Sequence, residues 1–153
     1  MSDAIETTAE AHEAQAMPRA HAVHADPRAR PTCEDLPLPQ AVAKTPVQNK
    51  SPAEWAYERL ILYIKNFEEQ LDNEHEVAMG FTGADAGVIR IEGIGYFDPD
   101  IVTFYGSDPS GTKTQLIQHV TQLNVMLRAL PKAQGDGAPK RIGFRLAADL
   151  EAE

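Results

Sequence analysis

The most constraining stretch of the sequence is residues 88–106, VIRIEGIGYFDPDIVTFYG. Apolar and branched residues typical of strands lie on both sides of Asp98, Pro99 and Asp100, which are residue types that form tight turns. The stretch also holds four of the aromatic residues of the chain, Tyr96, Phe97, Phe104 and Tyr105. It therefore predicts two antiparallel strands joined by a turn.

The aromatic residues of this hairpin predict that both faces of its sheet are used. Adjacent strand residues point to opposite faces, so one helical layer cannot bury both members of the pairs 96/97 and 104/105. We expect at least one tyrosine on the second face, which either binds something or is covered by a second subunit.

Two glycines interrupt the first strand of the hairpin. The alternation predicts Ile89, Ile91 and Phe97 on the inner face, and Gly93 and Gly95 fall on the same face. Glycine inside a strand indicates a bulge or the close approach of another backbone or a ligand. The sequence leaves these alternatives open.

Composition divides the chain near residue 50. Every glycine and every aromatic residue follows this position, whereas six of the eleven prolines precede it. Residues 1–50, rich in alanine and proline, are predicted to form a disordered arm, because they offer few large apolar groups to bury. The arm would act as a tail or tether of undetermined role. Residues 51–150 are predicted to form one domain, and residues 151–153 a frayed acidic end.

The domain is predicted to open with a helix over residues 51–72. Ser51, Pro52 and Glu54 match a capping box with proline at the first helical position. Apolar residues then recur three or four positions apart, as on one face of a helix. The predicted buried stripe contains Ala56, Leu60, Ile64, Phe67 and Leu71, widened by Trp55, Tyr57 and Ile61; the other side carries Glu54, Glu58, Arg59, Lys65, Glu68 and Glu69.

The remaining segments predict an α+β fold. Residues 74–81 alternate as a strand with one buried face, and turn residues follow at 82–87. After the hairpin, residues 112–118 fit a strand or a helix, and a strand is preferred up to 117. A helix is predicted from 119 to 130, ended by Pro131, then a loop at 131–139 and a last strand at 141–147. The fold class is a mostly antiparallel four- to five-stranded sheet with two helices, in the order α-β-β-β-(β)-α-β.

Charge and cysteine content exclude several classes of protein. The net charge is −9, and an acidic domain repels phosphate backbones, so we expect no nucleic acid partner. No run approaches the length needed to cross a bilayer, and we expect no membrane contact. The single cysteine, Cys33, cannot form an intramolecular disulfide. These features predict a cytoplasmic protein.

No pattern in the sequence identifies a reaction or a cofactor. Phosphate loops, dinucleotide fingerprints and paired metal-binding histidines do not occur. His119 could line a pocket, although a single histidine more often satisfies a backbone group. A hard cation held by Asp98, Asp100 and Asp108 is the less favoured interpretation of residues that also form turns. We therefore assign no catalytic, cofactor or metal residues, and an enzyme is not the favoured class.

Two segments resemble a known family. FDPDIVTFYG, residues 97–106, and QLIQHVTQLNVML, residues 115–127, are similar to an uncharacterised bacterial domain of unknown function, over about residues 51–150. That resemblance implies no activity. The element order also resembles that of dimeric chaperones that hold secretion substrates, which is an analogy of fold only.

Together these features favour a non-enzymatic protein-interaction domain, adaptor-like or chaperone-like, that forms a homodimer. It would bind a protein partner through an aromatic-bearing sheet face or an edge. The alternative is a small-molecule-binding protein or enzyme with a pocket near Gly93, Gly95, Tyr105 and His119. The predicted contact residues are Tyr96, Phe97, Phe104, Tyr105 and His119.

Overall fold

The computed structural model describes residues 20–81, 87–132 and 137–151. The chain divides into two compact units, Met1–Lys50 and Ser51–Glu153, at the boundary that composition indicates. Most of the turn predicted at 82–87, part of the loop at 131–139 and the end at 152–153 lie outside the described residues, as do residues 1–19.

Residues 20–50 contain three short helical turns. They are two 3-10 turns, Cys33–Asp35 and Val47–Asn49, and helix α1 (Gln40–Ala43). Pro39 and Pro46 stand at the N-caps of the last two. The sequence predicted no regular structure here. The turns are short, and their backbone hydrogen bonds join residues three or four positions apart. The tether role stays a prediction.

The second unit contains, in its described part, two helices and five strands. They are α2 (Pro52–Glu68), β1 (His75–Phe81), β2 (Val88–Phe97), β3 (Ile101–Ser107), β4 (Lys113–His119), β5 (Val125–Pro131) and α3 (Gly143–Glu151). The strands form one antiparallel sheet in the order β4-β3-β2-β1-β5. The predicted α+β class and sheet are confirmed.

Helix α2 begins at the predicted capping site. The Ser51 hydroxyl accepts a hydrogen bond from the Glu54 amide at 3.0 Å, and Pro52 occupies the first helical position. The helix ends at Glu68, one turn earlier than predicted. The buried stripe is also wider than predicted, because α3 packs against α2 in addition to the sheet. Glu58 and Glu68, predicted to face outward, are buried.

The last two elements reverse the predicted types. Residues 119–130 were predicted to be helical, but β4 and β5 flank a short 3-10 turn, Val120–Gln122. The leucines in this region fit both a helical and a strand period. The segment is a strand because it pairs with the whole length of β1. Residues 141–147 were predicted to be a strand, but Gly143 begins α3, which packs Leu146, Ala147 and Leu150 against the core. This segment packs on helix α2 rather than beside the sheet, so a strand here would have no neighbouring strand to pair with.

The inner face of the sheet packs on α2. Its buried side chains are Val77, Met79, Phe81, Ile89, Ile91, Ile94, Val102 and Phe104. On β1 the opposite face is buried as well, contrary to the prediction of one buried face, because its small residues Ala78 and Gly80 lie between larger side chains of β2 and β5, such as Val88 and Met126.

The predicted bulge is present in β2. The register with β3 shifts between Ile91 and Gly93, so one extra residue changes the phase of the strand. Ile94 therefore points inward, while Gly93, Gly95 and Phe97 point outward. The prediction that Phe97 and the two glycines face inward is wrong for this reason.

Candidate functional site

The Asp98-Pro99-Asp100 turn is held against the start of α2. The Ala53 amide donates to the Pro99 carbonyl at 3.0 Å, and the Ser51 hydroxyl donates to the Asp98 carboxylate at 2.5 Å. The Val120 amide donates to the Asp100 carbonyl at 2.7 Å, and the Asp98–Pro99 peptide bond is cis. These hydrogen bonds fix the hairpin to the start of α2, so the turn has a structural role.

An apolar patch lies on the outer face of β2, β3 and β4. Its members are Phe97, Ile101, Tyr105 and Ile117, which we call the outer patch. Phe97 is 77%, Ile117 62% and Tyr105 44% exposed. Phe97 is opposite Ile101 on β3, and Ile117 on β4 is opposite Thr103, which lies between Ile101 and Tyr105 on the same face. The four side chains are cross-strand or diagonal neighbours and form one surface.

The two glycines of β2 support Tyr105. A side-chain carbon at Gly93 would lie 3.6 Å from the Tyr105 ring, and one at Gly95 would lie 2.8 Å from the Thr103 hydroxyl oxygen. The Tyr105 ring thus rests over backbone that carries no side chains. Of the alternatives left open by the sequence, the structure has both a bulge and a close approach, the latter by a side chain.

Two of the predicted contact residues belong to the inner face. Phe104 is fully buried, and its ring lies 5.1 Å from that of Phe81. Tyr96 is 36% exposed and contacts Tyr57 of α2, with ring centroids 5.0 Å apart. The expectation of a tyrosine on the second face is met by Tyr105, whereas Phe104 and Tyr96 pack toward the helix.

His119 lies at the end of β4, on the same face as the outer patch. Its Nδ1 accepts from the Thr121 amide at 3.2 Å, so its Nε2 is the donor to Asp100 Oδ2, at 3.0 Å. Its other contact is Thr121 Oγ1, 2.8 Å from Nδ1. These bonds cap the 3-10 turn and tie it to the hairpin.

The three aspartates considered for a cation belong to two turns at opposite ends of β3. Asp98 and Asp100 precede β3, whereas Asp108 follows it, at the opposite end of the strand. Asp108 Oδ1 accepts from the Ser110 hydroxyl and from the Ser110 and Thr112 amides; the Ser110 hydroxyl is the main cause that lowers the pKa of this carboxyl. Within the described residues, no cluster of three or more His, Cys, Asp or Glu could hold a metal ion.

Two buried carboxylates fix the chain that leads into α3. Glu68 Oε2 accepts from the Ile142 amide at 3.0 Å, and Oε1 accepts from the Gly143 amide at 2.6 Å. Glu76 pairs with Arg90 at 2.6 Å and accepts from the Lys140 amide at 2.6 Å. Residues 140–143 are thereby clamped to both α2 and β1.

The environment of Glu68 favours its neutral form. Burial raises the pKa of the Glu68 carboxyl above its ordinary value of 4.5, and the neighbouring charge of Glu76 adds to this effect. The Ile142 and Gly143 amides and the charge of Arg141 act in the opposite direction. Burial is the largest of these causes.

Two cavities lie away from the outer patch. One, of about 320 Å³, is an apolar groove between α2 and β5, lined by Leu60, Tyr63, Ile64, Leu123, Val125 and Leu127. The other, of about 560 Å³, lies where the chain enters α3; Arg90, Lys140, Arg141 and Arg145 line it together with Glu76, Glu92 and Asp108. Neither contains Gly93, Gly95, Tyr105 or His119, the residues predicted to line a pocket.

Sequence reasoning missed two members of the outer patch. Ile101 and Ile117 were assigned to strands but not to the exposed face. The available signal was that Ile117 is in phase with Lys113, Gln115 and His119. An apolar strand residue that shares a face with polar residues is expected to be exposed. The buried roles of Glu68 and Glu76 had no comparable local signal.

The fold and the outer patch define a small α+β domain in which one part of the sheet has no covering layer in the described structure. The chain belongs to a family of unknown function, DUF6173, whose model matches residues 46–145. The predicted resemblance to such a family is confirmed. No curated protein and no solved structure matches the chain. In the residues that the structure describes, no helix has the length and apolar character needed to cross a bilayer.

Proposed function

We propose that this domain is a non-enzymatic protein-interaction module, adaptor-like or chaperone-like, which binds an apolar segment of a protein partner through the outer patch. The observation that carries the proposal is the exposure of Phe97, Ile117 and Tyr105 on one sheet face, around Ile101 and Thr103 of β3. Scattered apolar residues are normal on a surface, but a contiguous group of large ones marks an interaction site.

The local structure supports a binding role for this face. The bulge turns Phe97 outward, and Gly93 and Gly95 seat the Tyr105 ring against backbone. A ring held in this way loses little further freedom when a partner covers it, which favours binding. The centre of the face carries no charge, in a chain whose net charge is −9.

Site-specific cross-linking tests this function. A photo-cross-linking phenylalanine analogue is placed at position 97 of the full chain, and the purified protein is irradiated in extract of the source organism. We expect defined adducts that disappear when Ile117→Lys is added, because a charge in the centre of the patch opposes burial.

Met126 provides a matched control. It is an apolar strand residue, 53% exposed, on β5 and outside the patch. The same analogue at position 126 should give none of the adducts, and Met126→Lys should leave the adducts of position 97 intact. Equal adducts from both positions would contradict the proposal.

A second candidate, small-molecule binding, is favoured by the cavity of about 560 Å³ beside α3. Its apolar floor, which includes Ile91 and Leu146, and its mixed charged rim suit a small amphipathic molecule. Leu146→Trp would fill this cavity. Chemical shifts from a fragment library that vanish in this variant would support the second candidate, and shifts unchanged by it would count against this site.

The proposal retains a cytoplasmic location and a homodimer. Both agree with the single cysteine, the acidic charge and the uncovered sheet, and neither requires a cofactor. Sedimentation of the full chain measures the oligomeric state directly.

A further inference from the structure

β4 forms one edge of the sheet, and its outer edge lacks a partner in the described structure. All seven of its residues pair with β3 on one side. Among the described residues, no backbone hydrogen bond reaches β4 from any other element. An edge of this kind presents a row of backbone donors and acceptors that another strand can pair with.

The two edges of the sheet differ in their protection. β5 carries Arg128 in its centre and Pro131 at its end, and both residue types hinder the addition of a strand. β4 has neither proline nor a charge within its centre, and its only formal charge, Lys113, is at the first position. β4 is therefore the edge that permits pairing.

The charges at the ends of β4 fit a second copy of the same strand. In an antiparallel pair centred on Leu116, Lys113 lies opposite His119 of the second copy, and all seven residues are matched. His119 Nε2 lies 3.0 Å from Asp100 Oδ2, so a carboxylate stands near the end of β4 that lies opposite Lys113 of the second copy. No acidic residue lies on β4 itself.

The same register satisfies the geometry of the sheet. A two-fold axis perpendicular to the sheet keeps each face on its own side, so outward residues must pair with outward residues. Centring on Leu116 places Gln115 opposite Ile117, and both point outward. A shift of one residue would set outward side chains against inward ones.

We infer that the chain forms a two-fold dimer in which β4 pairs antiparallel with β4 of a second copy, centred on Leu116. The dimer joins the two sheets and places both outer patches on one continuous face. This inference rests on the proposed function and extends it by naming a second copy of the chain as the partner of β4. Its test does not depend on any partner of the outer patch.

Cysteine pairing tests the register. In full-length protein with Cys33→Ala, one preparation carries Gln115→Cys and a second, differently tagged one carries Ile117→Cys. Directly opposed strand residues have the separation that a disulfide requires, whereas diagonal ones lie about 7–8 Å apart. After mixing and mild oxidation we expect the mixed disulfide to exceed either homodisulfide by about fivefold or more. Met126→Cys is the control for random collision.

Charge reversal tests the complementarity of the ends. We expect Lys113→Glu, or Asp100→Lys, to weaken the dimer roughly fivefold, the scale of a surface ion pair, and the double variant to recover affinity. Arg145→Glu makes the same change of net charge on α3 and should have no such effect. Circular dichroism verifies that the Asp100→Lys variants remain folded.

Two results would overturn the inference. One is a strict monomer by sedimentation up to about 1 mM, which covers the weak range expected of a small interface. The other is a mixed disulfide in no more than about twice the yield of either homodisulfide, which is the ratio that random pairing of the two cysteines gives. Because cross-linking from position 97 is measured separately, a monomer that still gives those adducts refutes the dimer and leaves the binding of a protein partner by the outer patch standing.

Discussion

The helical side of the sheet and its outer patch differ in the burial of their side chains. On the helical side, even a buried carboxylate has partners, because Glu68 accepts from the Ile142 and Gly143 amides. On the outer patch, large apolar groups are exposed with no covering element in the described structure. The difference indicates that the first side holds the fold together, while the second adds little buried surface to the fold.

Phe104→Ala attacks the helical side and should have the largest effect. The side chain is fully buried and packs on Phe81, so its loss leaves a cavity. We expect the free energy of unfolding to fall by about 3–5 kcal/mol. Urea denaturation measures it; a loss below about 1 kcal/mol would show that this layer is not tightly packed.

Gly143→Ala tests the clamp at the start of α3. The added carbon would lie 2.6 Å from Glu68 Oε1 and 2.8 Å from Lys65 Cα, so backbone must move. We expect a loss of about 1–3 kcal/mol in urea denaturation. Phe144→Ala, at the adjacent position but 79% exposed, is the control and should change stability by less than about 0.5 kcal/mol.

Glu68→Gln tests the same clamp through pH. A neutral amide keeps one acceptor for two amide donors, so we expect a loss of about 1 kcal/mol. Because burial raises the pKa of Glu68 in the folded state, the unfolded chain releases this proton first as the pH rises. The stability that Glu68 contributes is therefore full below its ordinary pKa of 4.5 and declines as the pH passes the raised pKa.

The measurement is urea denaturation of both proteins from about pH 4 to about pH 8. The stability difference between parent and Glu68→Gln should fall with rising pH. A difference that grows with pH would mean that the two amides and Arg141 outweigh burial.

Phe97→Ala is the same substitution as Phe104→Ala, made on the other face of the hairpin. It should have the smallest effect on stability, within about 0.5 kcal/mol. The side chain is 77% exposed, so little apolar surface leaves the core. Binding of a fluorescent hydrophobic dye should nevertheless decrease, because the patch shrinks. Equal destabilisation by Phe97→Ala and Phe104→Ala would remove the contrast between the two faces.

Local patterns predicted the first helix and the hairpin well. The N-cap at Ser51 and the turn at Asp98 are decided by neighbouring residues, and both are where the sequence indicates. The patch was found in part: Phe97 and Tyr105 lie on it, whereas Tyr96 and Phe104 point inward, because a bulge set the phase of β2.

The errors lie where distant residues decide. Residues 125–131 fit two periods, and β1 selects the strand by pairing along its full length. Residues 143–151 alternate at first like a strand, but Glu68, far away in the sequence, caps the start of a helix there. The hint was the spacing of Gly143, Leu146, Ala147 and Leu150, which is helical.

By itself, the sequence determined the start of α2, the central hairpin and the α+β class, because capping, turn chemistry and strand alternation act over a few residues. Only the tertiary structure decided the type of the last two elements, the burial of Glu68 and Glu76, and which hairpin aromatics are exposed. These depend on pairing and packing between distant segments, which local periodicity does not encode.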